Sequence, residues 1–152
     1  MNTENGPVRG DIITDNEYMD HRNRILNLRL GGDTKVLLFL SMHCVRCMEL
    51  VPEIRKVRLP HARLIVFSAG SPEDHVELGE FLGQTWTVVP LAPEHMEKDF
   101  LVRSHPFCII VDRNRQVAGE GFVYNSTDVL TLAETAGENK FSTLFKIRSR
   151  RA

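Results

Sequence analysis

Short uninterrupted apolar runs punctuate the chain: Val36 to Leu40, Leu64 to Phe67 and Phe107 to Val111. Each has the length of a strand and little polar alternation, as expected where a sheet is covered on both faces by helices. After the first run, Met48, Leu50, Val51 and Ile54 recur at helical spacing, and Pro60 closes that unit. After the second, Ser71 at the cap, Pro72 at the first position and Glu73-Asp74 in the first turn open a helix. Its apolar side is read as Val76, Leu78, Phe81 and Leu82, ended by Gly83. A third strand is predicted over 85–91 and a short helix over 94–101. The run from Phe107 is followed by a tight turn over 112–115 and an antiparallel partner over 116–123. Ser126 is expected to cap a final helix reaching about Ala136.

The first thirty residues are less regular. Gly6, Pro7 and Gly10 make residues 1–16 read as a loose lead-in, and Gly31-Gly32-Asp33 as a turn. Residues 17–30 fit either period; the reading adopted is a short helix followed by a strand. Strands alternating with helices, then a hairpin and a helix, describe an α/β domain with a central mixed sheet flanked by helices. No internal repeat or linker interrupts it.

Composition narrows the functional classes. At 152 residues and 42% apolar content, the chain suits one soluble domain with a real core. The net charge of −1 conceals an asymmetry. Lys140, Lys146, Arg148, Arg150 and Arg151 crowd the last residues, leaving the body acidic. One short basic tail is a small electrostatic footprint, so nucleic-acid binding is not expected. Interleaved with Phe141, Leu144, Phe145 and Ile147, the tail suits weak contact with a membrane or partner. The first twenty residues lack the basic start and apolar centre of an export signal, and no apolar run approaches membrane-spanning length. The expected location is therefore the cytoplasm, and the expected state a monomer.

The candidate chemistry lies where the first strand meets its helix. Cys44 and Cys47 are three residues apart, close to one helical turn, and so can share one side of the helix start. N–H groups there have no internal partner and carry partial positive charge, which favours thiolate over thiol. His43 and Arg46 add nearby cations. The arrangement suits reversible dithiol–disulfide exchange, with Cys44 as the exposed nucleophile and Cys47, one turn in, as the resolving thiol. Half of a structural zinc site is the alternative, but no second CxxC or HxxxH supplies the other ligands, and no metal or organic cofactor is expected. Cys108, inside an apolar strand, reads as a small buried hydrophobe. His21, His61, His75 and His95 read as surface residues, and Trp86 as packing.

These residues carry a resemblance. The order strand, CxxC at a helix start, cysteine-free strand–helix units, then Pro106 before a hairpin and last helix resembles the thioredoxin superfamily. Pro52, eight positions after Cys44, matches the proline that kinks the family's active-site helix. Pro106 matches the cis-proline beside the disulfide, and Gly121 a glycine of the next strand. The long separation of Cys44 from Pro106 leaves room for a strand–helix insertion, as in the TlpA-like branch that includes MauD-type proteins. The resemblance spans residues 35–136. It implies a thioredoxin-like domain over 25–139, between a partly ordered extension over 1–24 and the tail over 140–152.

The implied function is a thiol–disulfide oxidoreductase exchanging with a protein disulfide or dithiol substrate and a further redox partner. The substrate surface would include His43, Val45, Arg46, His105 and Pro106, with the His105 backbone pairing with the substrate. Two departures stand out. The segment between the cysteines is Val45-Arg46, and Leu38 occupies the position of the buried acid that assists the second cysteine in thioredoxin. Two other functions fit the same residues: a non-catalytic protein-binding module on this fold, and a thiolate metal-handling protein.

Overall fold

A computed structural model describes residues 5–29 and 33–137; the basic tail lies outside them. In chain order the elements are β1 (Glu17–Met19), β2 (Ile25–Asn27), β3 (Thr34–Ser41), α1 (Val45–Ile54), β4 (Ala62–Ala69), α2 (Pro72–Leu82), β5 (Trp86–Pro90), α3 (Pro93–Phe100), β6 (Phe107–Val111) and β7 (Val117–Phe122). Residues 126–137 form a further helix, α4.

The apolar runs take the centre. The main sheet has the order β5-β4-β3-β6-β7, with β3 parallel to β4, β4 parallel to β5, and β6 antiparallel to both β3 and β7. The mixed sheet between helices agrees with the sequence reading. So does the strand–helix insertion, since β4, α2, β5 and α3 all intervene between α1 and β6. Two successive parallel crossovers run the same way along the sheet, and the right-handed rule places α1 and α2 on one face. That face packs Leu38, Leu40, Leu64 and Val66 against Cys47, Leu50, Ile54, Leu78 and Leu82, with Val129 and Ala136 of α4. The other face packs Leu37, Phe39, Ile65 and Phe67 against Met96 and Phe100 of α3 and Leu26 and Leu28. Phe39, Phe67 and Phe100 meet there with ring centroids 4.9–5.1 Å apart. Val36 to Leu40 are wholly buried, and each such side chain contributes roughly 1.5–3 kcal/mol of transfer free energy.

Four local readings are corrected. Residues 17–24 are not a helix: β1 and β2 form an antiparallel pair with Tyr18 opposite Leu26. The Asp20 carboxylate accepts the N–H groups of Arg22 (2.8 Å) and Arg24 (2.9 Å), and Asn23 takes φ 63°, which turns the chain back on itself. The inward side of α2 is His75, Leu78, Gly79 and Leu82, while Val76 and Phe81 face solvent. That set is one stripe at i, i+3, i+4, i+7, which the apolar residues alone did not make. His75 is consequently buried, its Nε2 2.9 Å from the Ser68 carbonyl, rather than a surface residue. The His21 ring lies on the helix at Gly79, where a Cβ would displace it. At α4 the cap is Asn125, whose Oδ1 accepts the Asp128 N–H at 2.8 Å. Ser126 instead donates its N–H and hydroxyl to Glu53 of α1, at 3.2 and 3.3 Å.

The α2 start agrees with the sequence: Ser71 and Asp74 form a reciprocal capping box after which Pro72 begins the helix. Trp86 is buried as packing, its Nε1 donating to the Ile54 carbonyl at 2.9 Å. Among the described residues, no helix is long and apolar enough to cross a membrane.

Candidate active site

β3 delivers the chain to the site and α1 takes it away. At the junction the backbone folds tightly: Met42 N–H bonds to Ala69 O (2.8 Å) and Cys44 N–H to Ser41 O (3.1 Å). Cys44 is the N-cap of α1, in extended conformation, and its Sγ accepts the Cys47 N–H at 3.3 Å. A sulfur therefore occupies the place that serine or aspartate oxygens usually fill at a helix start, where orphan N–H groups carry partial positive charge. Cys44 is partly exposed, Cys47 is fully buried, and both are free thiols. Cys47 Sγ accepts the Ser41 N–H at 3.4 Å. Burial first, and then the bond with Cys44, push the Cys47 thiol from 9.0 up to about 12. The two cysteines thus differ in access although they are one turn apart.

The second half of the site comes from the other end of the sheet. The His105–Pro106 peptide is cis, and the Cys44 thiol points at the His105 carbonyl, 3.9 Å away. Pro106 is buried, and its carbonyl accepts the Val123 N–H at 3.4 Å. The His105 ring is half-buried with Nε2 3.2 Å from Met96 Sδ, and burial lowers its pKa. His105 is thus not simply exposed at a strand start.

The remaining residues singled out in sequence surround Cys44. His43 and Arg46 are exposed, and Val45 is 72% exposed at the tip of α1. The Arg46 guanidinium lies 5.0 Å from the centre of the exposed Tyr124 ring. On the opposite side, Asp74 is held below its ordinary range by the Ser71 N–H and hydroxyl, with a contribution from His43. A mixed surface results, carrying one cation on an aromatic ring and a histidine near a helix-capping carboxylate.

Leu38 and Cys108 sit opposite each other on β3 and β6, in the same apolar cluster as Cys47. Cys108 is fully buried, and burial pushes its thiol up to about 12. It packs as the sequence reading expected. Among the described residues, no group of three or more histidine, cysteine or carboxylate side chains could hold a metal ion.

Solved structures share this arrangement of sheet and helices. A Bacteroides thetaiotaomicron chain, named provisionally a protein disulfide isomerase, has a TM-score of 0.72 at 18% identity, covering 88% of this chain and 91% of its own. The fold is that of thioredoxin. A thiol:disulfide interchange protein from a Bacteroides species follows at TM-score 0.67 and 14% identity, covering 86% of this chain and 91% of that one. The thioredoxin domain of a Bacteroides vulgatus thiol-disulfide oxidoreductase gives 0.66 at 15% identity, covering 89% and 98%. No protein-family model and no curated protein sequence matches the chain. The thioredoxin-like fold that the resemblance implied is therefore the fold observed.

Sequence reasoning missed Met96, which meets the His105 ring, and Tyr124, whose ring lies against Arg46. Both reach the site through side-chain contacts that no local pattern marks.

Proposed function

We propose that this protein is a thiol–disulfide oxidoreductase acting on protein partners through Cys44 and Cys47. The observation that carries the reading is the position of Cys44. Its sulfur is partly exposed, caps α1 by accepting the Cys47 N–H, and faces the carbonyl before Pro106. In the reducing direction, the Cys44 thiolate attacks one sulfur of the partner disulfide. That bond breaks, a mixed disulfide forms, and the second partner sulfur leaves as thiolate. Cys47 then loses its proton to that departing thiolate and attacks Cys44 Sγ. The mixed disulfide breaks, the Cys44–Cys47 disulfide forms, and the partner's first sulfur leaves as thiolate and takes from water the proton that Cys44 had given up, so the partner gains two electrons and two protons in all. The oxidising direction is the reverse.

The buried Cys47 thiol, pushed up to about 12 among aliphatic side chains, makes the second step the demanding one. Leu38 lies with Cys47 in the same apolar cluster, so no acid at that position moves the thiol's proton. The surface offered to the partner is His43, Val45 and Arg46 on one side and the His105–Pro106 backbone on the other.

The test is turnover of a protein disulfide with an external dithiol as reductant. Cys44→Ser should lower turnover by on the order of a thousandfold or more. Cys47→Ser should stop at the covalent adduct, recovered as a partner–protein species under non-reducing conditions. Undiminished turnover in Cys44→Ser would end this reading.

A further inference from the structure

The loop before Pro106 is fastened from outside its own neighbourhood. It starts at Leu101, in left-handed conformation (φ 62°) at the end of α3, and runs through Val102, Arg103 and Ser104 to His105. Such a loop needs partners for its backbone groups, because its own geometry supplies few. Asn5 provides three. Its Oδ1 accepts the N–H groups of Arg103 (2.6 Å) and Ser104 (2.9 Å), and its Nδ2 donates to the Ser104 carbonyl at 3.0 Å. The next residue adds a fourth bond, Gly6 N–H to Leu101 O at 2.8 Å. A single amide side chain thus grips both faces of the Arg103–Ser104 unit, immediately before the residue whose carbonyl meets Cys44 Sγ.

The amide is itself held in place. Gly6, at φ 79°, lies so close to the Phe107 ring that any Cβ would collide with it, and Pro7 is buried. Further along, Gly10 N–H bonds to Val117 O and Val117 N–H to Asp11 O, both at 2.8 Å. Ile13 N–H bonds to Arg115 O at 2.9 Å, and the Ile13 side chain is buried. Residues 5–13 therefore form a strap registered along the start of β7, with Asn5 at its forward end.

We infer that Asn5 is a positioning residue for the exchange site. It clamps the Arg103–Ser104 backbone and so sets where the His105 carbonyl stands against Cys44 and against an incoming protein chain. The inference rests on the exchange reading given above. The clamp acts on the backbone that a protein substrate must lie against. A small disulfide that needs only the Cys44 sulfur makes no use of it. The two substrate kinds should therefore separate.

The experiment compares wild type, Asn5→Ala and Asn5→Asp on a protein disulfide and on a small aromatic disulfide, each well below the unfolding temperature of the variant used. Asn5→Ala removes three hydrogen bonds. It should raise KM for the protein substrate roughly five- to tenfold, while leaving kcat and the small-disulfide rate within about twofold. Asn5→Asp keeps both acceptor bonds but sets a carboxylate oxygen against the Ser104 carbonyl in place of the donor. Its KM should lie between those of wild type and Asn5→Ala. Amide exchange at Arg103 and Ser104 should quicken in the alanine variant and stay slow in the aspartate one. An unchanged protein-substrate KM in Asn5→Ala would overturn the inference, and so would an equal loss on both substrates. Failure of the exchange reading itself is seen separately, as wild-type turnover retained by Cys44→Ser.

Discussion

The loop from Ser41 to Val45 is fastened chiefly by its own residues, with one bond from Met42 to β4, whereas the Arg103–Ser104 stretch before Pro106 borrows its fastenings from a distant part of the chain. In the first, Ser41 O, Ser41 Oγ and Cys44 Sγ each receive an N–H from two or three residues further on. In the second, Leu101 and Val102 still give their N–H groups back to α3, but Arg103 and Ser104 are held by Asn5, the Leu101 carbonyl by Gly6, and the last carbonyl looks across to Cys44. A locally fastened loop forms with its helix and keeps its geometry when other parts of the molecule loosen. A remotely fastened one is only as well placed as the strap that holds it. The two loops meet at one sulfur, so the less self-sufficient of them sets the tolerance of the site.

Three experiments press on this contrast, beginning with the largest effect. Each region holds one buried thiol pushed up from 9.0 to about 12: Cys47 behind the first loop and Cys108 after the second. A group whose pKa is higher folded than unfolded keeps its proton longer in the native state. Its stabilisation is complete below about pH 9 and is lost as pH rises through about 12. Denaturant midpoints should therefore fall steadily above pH 9. Cys47→Ala and Cys108→Ala should each flatten that fall, and a slope unchanged in both variants would break the assignment. Next, Gly6→Ala should cost about 2 kcal/mol or more by urea unfolding, since it combines positive φ with a collision at Phe107. It should also loosen the Leu101–Pro106 loop in amide exchange. The smallest effect is expected of Ser41→Ala, which removes one bond of 3.3 Å to the His43 N–H in an exposed, otherwise self-fastened turn. A loss below about 1 kcal/mol is expected there. A larger loss than in Gly6→Ala would reverse the comparison.

The same division explains what could be read from the sequence. The first loop was legible because its information is local: an apolar strand, a polar step, two cysteines one turn apart and a helical stripe after them. The α2 start was legible for the same reason, since Ser71, Pro72 and Asp74 are neighbours. His75 was misplaced because a polar residue on a buried stripe is visible only once Ser68 is known to lie beneath it. Residues 17–24 were misread because apolar residues there satisfy two periods, and the Asp20 carboxylate that decides between them acts through backbone bonds. The role of Asn5 had no local sign at all. Its partners lie 98 and 99 residues away, and an asparagine before Gly-Pro looks like any other turn residue.

The far end of α1 is tied down twice, by the Trp86 indole on the Ile54 carbonyl and by Glu53 on the start of α4. Pro52, inside the same helix, lacks an N–H to give back to Met48, so the rod has a weak point between its anchored root and its reactive end. The helix is thus anchored at its root and interrupted once in its hydrogen-bond ladder, about two turns from Cys44, so its reactive end and its root are joined by the least tightly bonded turn of the rod.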